Sequence, residues 1–267
     1  MSTSRQEIFA SSGPVHADVV TKSGDIVVQV GSGNEVKVVL TARGGNGDVL
    51  LENAELHFDE KSNELLVHTQ PRDQFDSLSD LKTLFKKSAW SGFGDLDVSL
   101  TLPEGSSIDV ITGSGDTVTR GALADVKVAS GSGDVKVGDT VDSVDVKTGS
   151  GDVVAGHVVS NFECRCASGD VRCDGAAKNT DIHTASGDVV LTAERAGDIS
   201  VKVVSGDVRV NVKPGLIIDV NGTTVSGDMG SSIPLDSSGG DDGGNEDETV
   251  SIHVVTVSGD FKISKAS

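Results

Sequence analysis

Six carboxylates recur in one repeated phrase. Ser-Gly-Asp stands at 114, 132, 150, 168, 186 and 205, which places Asp116, Asp134, Asp152, Asp170, Asp188 and Asp207 at a regular period of 18 that lengthens to 19 at the last step. If successive copies stack as neighbouring strands, these side chains line up about 4.8 Å apart. Carboxylates at that separation repel by about 1 kcal/mol even at the dielectric of water, so something must offset the ladder. Backbone amides could do so, or cations could. Among cations the chemistry suits calcium, which takes six to eight oxygen ligands and tolerates loose geometry.

A structural origin explains the same motif. The Gly of each turn can take φ > 0 without a Cβ penalty, and the Ser or Asp side chain can bond an amide of its own turn. Turns such as Gly131-Ser-Gly-Asp134 share their Gly and Asp with the nonapeptide repeats of calcium-binding β-rolls, but lack the residue between the second Gly and the Asp. Alternate turns such as Gly156-His-Val-Val-Ser-Asn161 do not repeat the phrase. The six aspartates are therefore a candidate cation ladder, with calcium the one cofactor that enters the reading.

Other chemistry-bearing residues are sparse. Cys164, Cys166 and Cys173 crowd into one repeat with no fourth thiol, and the histidines at 16, 57, 68, 157, 183 and 253 are scattered rather than set at ligand spacing. The cysteine columns otherwise hold Val, Thr, Ile, Ala and Leu, so the thiols read as small buried hydrophobes. No residue set reads as catalytic. A polysaccharide lyase on a parallel β-helix would need a carboxylate pair, a basic group or a metal on one face, whereas the acids here are spread over every turn.

Composition narrows the partners. The chain has 267 residues, 36% hydrophobic content and a net charge of -19. That charge repels phosphate backbones and anionic membrane surfaces, and excludes the basic stripe of a nucleic-acid binder. No stretch approaches the roughly 20 apolar residues of a membrane span. The first residues carry no signal-peptide core, so the expectation is a cytoplasmic protein, which three unpaired cysteines also fit.

The elements follow from hydrophobic parity. Val135, Val153, Val171 and Val189 share a column, as do Val137, Ala155, Cys173 and Leu191 two residues on. A second strand carries Val126, Val144, Phe162 and Thr180, then Val128, Val146, Cys164 and Ile182, with Lys127, Asp145, Lys147, Glu163, Arg165 and Asp181 between them. Each strand thus has one buried and one wet face. The extra residue of the last interval falls between Leu191 and Ile199. Two topologies fit. Ser-Gly and Gly-Asp turns suit an antiparallel meander, whereas like residues recurring at a fixed period favour a solenoid whose turns sit in register.

Four segments result. Residues 1–105 read as irregular β coils and a cap, with Leu56 and Phe58 pairing with Leu65 and Val67. A short helix is expected at 77–90, carrying Leu78, Leu81, Leu84 and Phe85 at helical spacing. It serves as a lid, or docks a partner through Phe85, Trp90 and Phe93. Residues 106–229 form the regular β-solenoid, 230–248 an acidic loop without order, and 249–267 the closing strands.

The Ser-Gly-Asp-Val units, the segment from Gly94 to Ser106 and the terminal Val-Ser-Gly-Asp-Phe-Lys-Ile-Ser at 257–264 resemble the bacterial β-strand-repeat proteins of unknown function regarded as candidate adhesins. The resemblance implies an all-β, right-handed, single-stranded parallel β-helix, a β-solenoid in which each regular turn takes up one period of the repeat. It also implies a scaffold or adhesin-like role toward an unidentified protein partner, with self-association open, and it carries no catalytic residues.

Overall fold

The computed structural model describes residues 3–44, 47–69, 95–233 and 249–266. It is all-β apart from one short helix, and the chain divides into two compact units, Met1–Asp139 and Thr140–Ser267. The expected helix at 77–90, with Phe85, Trp90 and Phe93, lies outside the described residues, as does 234–248 of the expected acidic loop.

The first unit contains β1 (Ser4–Ala10), β2 (His16–Ser23), β3 (Ile26–Val30), β4 (Glu35–Arg43), α1 (Gly47–Asn53), β5 (Glu55–Asp59), β6 (Glu64–His68), β7 (Asp95–Leu102), β8 (Ser107–Ser114), β9 (Thr117–Arg120) and β10 (Leu123–Ser132). The next strand, β11 (Val135–Ser150), crosses the unit boundary. Its first residues pair in parallel with β9, Val135 against Thr117, and β10 pairs in parallel with β8, Val126 against Ile108. Both pairs join positions one repeat period apart. The antiparallel meander is therefore not the arrangement of these repeats, because inward Val and Ile must fall in register on one face to share a core.

Chain order and stacking order diverge here. The pair β2 and β3 is inserted between β6 and β7 on one side and β8 and β9 on the other. The outer edge of β7 is then covered by β4 running antiparallel, Val38 against Leu100 and Leu40 against Val98, and β4 is covered in turn by β1. The expected pairing of Leu56 and Phe58 with Val67 and Leu65 is present, antiparallel, in β5 and β6. Phe58 stacks on Phe9 with ring centroids 5.2 Å apart.

Helix α1 was not anticipated from sequence. Its seven residues are too few for a helical period to show, and Leu50 and Leu51 are its buried side chains. It is fixed from outside: the Arg5 guanidinium donates to the carbonyls of Leu51 (3.2 Å) and Ala54 (2.9 Å), satisfying the orphan acceptors of the C-terminal turn.

The second unit contains β12 (Val153–Ser168), β13 (Val171–Gly175), β14 (Asn179–Ser186), β15 (Val189–Ala193), β16 (Gly197–Ser205), β17 (Val208–Val212), β18 (Ile217–Ser226), β19 (Met229–Ser231), β20 (Thr249–Ser258) and β21 (Phe261–Lys265). Successive pairs are parallel: Phe162 against Thr180, Val171 against Val189, Ile182 against Val201. The extra residue is taken up after Ala193, which still lies against Val212, so the core register is undisturbed. Every apolar column named from the repeat is buried, from Val135 through Phe162 to Leu191.

At this end too the order is rearranged. The strands expected to close the stack, β20 and β21, instead lie between β16 and β17 on one side and β18 and β19 on the other. Side-chain content explains it. Val250, Ile252, Val254, Phe261 and Ile263 are an unbroken apolar set that needs cover on both sides, and all are buried. The inward positions of β18 include Gly222 and Thr224, opposite Val254 and Thr256, which tolerate the end.

Candidate interaction surface

The stacked turns resolve the carboxylate ladder. In the first unit Asp25 N–H donates to Asp97 Oδ1 (2.9 Å), Asp116 N–H to Asp25 Oδ1 (3.2 Å) and Asp134 N–H to Asp116 Oδ1 (2.9 Å). In the second unit Asp152 accepts from Asp170 (2.9 Å), Asp170 from Asp188 (2.8 Å), Asp188 from Asp207 (2.9 Å) and Asp207 from Asp260 (2.9 Å), and Asp260 accepts from Asp228 (2.9 Å). Each accepting carboxylate is thus bonded to the main chain of a neighbouring turn. Charge-assisted bonds of this kind offset the repulsion without a cation. The first-unit ladder is also capped: Arg43 reaches both Asp25 and Asp97, and those two carboxylates hold its guanidinium protonated more firmly than usual.

Among the described residues no group of three or more His, Cys, Asp or Glu side chains is arranged to hold a metal ion. The ladder supplies one carboxylate per turn, with one oxygen committed to an amide, against the six to eight oxygens calcium requires. Asp170→Ala is expected to cost about 1 kcal/mol, whereas Asp170→Asn, which keeps an acceptor oxygen for Asp188 N–H, stays within about 0.5 kcal/mol of the native protein. Urea unfolding with and without calcium checks this. A calcium-dependent gap between native protein and Asp170→Asn would favour the cation ladder.

The three thiols are free and buried. Burial pushes Cys173 up to about 12 and Cys164 and Cys166 upward as well, so at neutral pH all three stay protonated and are poor nucleophiles or ligands. Cys166 occupies the column in which the hydroxyls of Thr148 and Thr184 bond the carbonyls of Ser150 (3.2 Å) and Ser186 (3.3 Å). Its sulfur instead lies 3.8 Å from the Gly151 carbonyl and 3.9 Å from the Gly169 carbonyl.

Folding brings together residues that sequence spacing separates. His16 and His57 line one groove of about 610 Å³ with Asp18, Glu55, Asp59 and Glu64, because β2, β5 and β6 are adjacent. Only the return of a distant hairpin beside β2 creates it, and no local signal marks it. The Lys61 N–H donates to Asp59 (2.9 Å) and holds that carboxyl below its ordinary range.

The outward face of the second unit carries ordered rows. Asn161, Asn179 and Asp198 form one, and Glu163, Asp181 and Ser200 the next. A third holds Arg165, His183 and Lys202. Arg165 pairs with Glu163, and His183 lies 3.2 Å from Asp181. Beyond that row Val204 and Val257 stand 54% and 47% exposed, placed side by side by the register of Val203 with Thr256 and Ser205 with Ser258. A groove of about 420 Å³ follows the first two rows, and one of about 570 Å³ runs over Lys202, Val204, Val255 and Val257. The row of charges was legible in the repeat; the exposed valines were not singled out, since Val reads as core.

No helix among the described residues is long and apolar enough to cross a membrane. Two solved structures share the fold. A candidate adhesin from Bacteroides fragilis is 11% identical with a TM-score of 0.51, covering 98% of this chain and 97% of that one. A candidate lipid-binding protein from Parabacteroides distasonis is 12% identical with a TM-score of 0.51, covering 99% and 97%. No curated protein matches the sequence. The model of the Toastrack DUF4097 family matches residues 18–264, which takes in the parallel repeats and the aspartate ladder of both units, and the chain belongs to that family.

Proposed function

We propose that the protein is a non-catalytic interaction module whose stacked strands hold outward side chains in fixed rows for a partner to read. On this reading the repeats coil as a right-handed solenoid, one repeat period to each regular turn, supported by parallel partners such as Val153 and Val171. The solved relatives described as an adhesin and a lipid-binding protein are both binding proteins by description, which supports the same class.

The observation that carries the proposal is the pair Val204 and Val257, exposed beside Lys202 on a regular sheet face. Apolar side chains exposed together on a rigid surface form a patch that a partner can cover. Lys202 makes no ion pair among the described residues, while its row neighbours Arg165 and His183 are paired within the face. Capture from native lysate by the native protein and by Val204→Glu/Val257→Glu tests it. A component held by the first and lost by the second, with melting unchanged, is expected. Identical captured sets would reject this face as the contact surface.

A further inference from the structure

Among the described residues β18 pairs only with β20, leaving ten residues, Ile217–Ser226, with one unpaired edge. At about 3.3 Å per residue this is roughly 33 Å of free amides and carbonyls. Edge strands are ordinarily blunted by Lys, Pro, bulges or a covering element. Ile-Ile-Asp-Val-Asn-Gly-Thr-Thr-Val-Ser has no Lys and no Pro, and Asp219 is its one charge. Its outward side chains include Ile217, 46% exposed, and Val225, 78% exposed. In the first unit the parallel strand β7 is covered by β4 in antiparallel register, and Arg43 caps the ladder.

We infer that β18 is a self-association edge: it pairs antiparallel with β18 of a second copy, about a two-fold axis through Asn221. An antiparallel strand is already the device that covers β7, and here a second copy supplies it.

The register follows from the side chains. Pairing that keeps outward residues on one face must place odd positions opposite odd positions. Centring on Asn221 sets Ile217 against the other copy's Val225, twice by symmetry, and sets Asp219 against Thr223. Both exposed apolar residues are then paired, and no like charges face each other. Centring on Asp219 would oppose two carboxylates, and centring on residue 220 or 222 would leave both Ile217 and Val225 without an apolar partner. Because the patch is self-complementary the contact closes as a dimer and does not propagate. A second copy, with the same sequence, is the occupant whose side chains meet these conditions.

Cysteine pairing in the full chain tests the register. Residues opposed across antiparallel strands have Cα atoms about 4.5–5.5 Å apart, within disulfide reach. The native thiols are buried and do not compete. Under mild oxidation Asn221→Cys should cross-link to itself. Asp219→Cys alone should not, but should cross-link when mixed with Thr223→Cys. Sedimentation equilibrium should show a concentration-dependent dimer for the native protein and a monomer for Val225→Asp, with equal melting temperatures at concentrations where the native protein is monomeric. The inference is overturned by a monomer at every concentration, by equal self-cross-linking of the 219 and 221 variants, or by assembly beyond the dimer. Slow amide exchange across 217–226 in a monomer would likewise overturn it, assigning the edge to the chain's own residues 234–248.

Discussion

Gly187→Ala should prevent the second unit from folding stably, with a loss above about 4 kcal/mol. Gly187 has φ 136°, and a Cβ there would lie 2.1 Å from the Gly169 carbonyl oxygen and 2.6 Å from its carbon. Those are backbone atoms of the adjacent turn and cannot rotate away. Relief requires the two turns to separate, which breaks the bonds from Gly169 N–H to the Ser186 carbonyl (3.0 Å) and from Asp188 N–H to the Asp170 carboxylate (2.8 Å). Gly33→Ala separates the two causes. Gly33 also has positive φ, 141°, but open space around it, so that change should cost only the conformational strain of about 1–3 kcal/mol. Gly230→Ala, with neither constraint, should be close to neutral. Thermal melts of the three variants decide the matter. A Gly187→Ala protein melting with the Gly33→Ala protein would mean that stacked glycine contact is not what sets the turn spacing.

Phe162→Ala should cost about 3–5 kcal/mol. Phe162 is 1% exposed and the largest of the fully buried side chains, on an inward column otherwise built from Val, Thr and Ile. Strands held by ladders on both edges cannot collapse into the void, which places the loss toward the upper end of that range. Urea unfolding should show a lower midpoint with the slope retained. A loss below about 1 kcal/mol would show that the core between the sheet faces is loosely packed.

Much of the framework was legible in the repeat. The fixed period and the parity of valines and charges named the buried columns one by one, because each strand has one wet face and one dry face and must repeat that choice at every turn. The turn at Ala193, where one residue is added, was legible for the same reason. Helix α1 was not, since its stability comes from Arg5, distant in sequence, and from burying Leu50 and Leu51. The groove holding His16 and His57 was not legible either, because it depends on β5 and β6 returning beside β2. The exposure of Val204 and Val257 was hidden by composition: a valine on the outward face has the same letter as one in the core.

Sequence alone determined that this chain is mainly β, that its apolar columns face a core, and that its aspartates recur at a fixed period. These follow from local sterics and a repeated hydrophobic pattern, which act over a few residues at a time. Tertiary structure alone decided that the row is balanced by main-chain amides, that β2, β3, β20 and β21 lie inside the stack, and that β18 is left at an edge. Those outcomes depend on which distant strands compete for the same open edge, and the winner is set by burial summed over whole strands, a quantity no single segment carries.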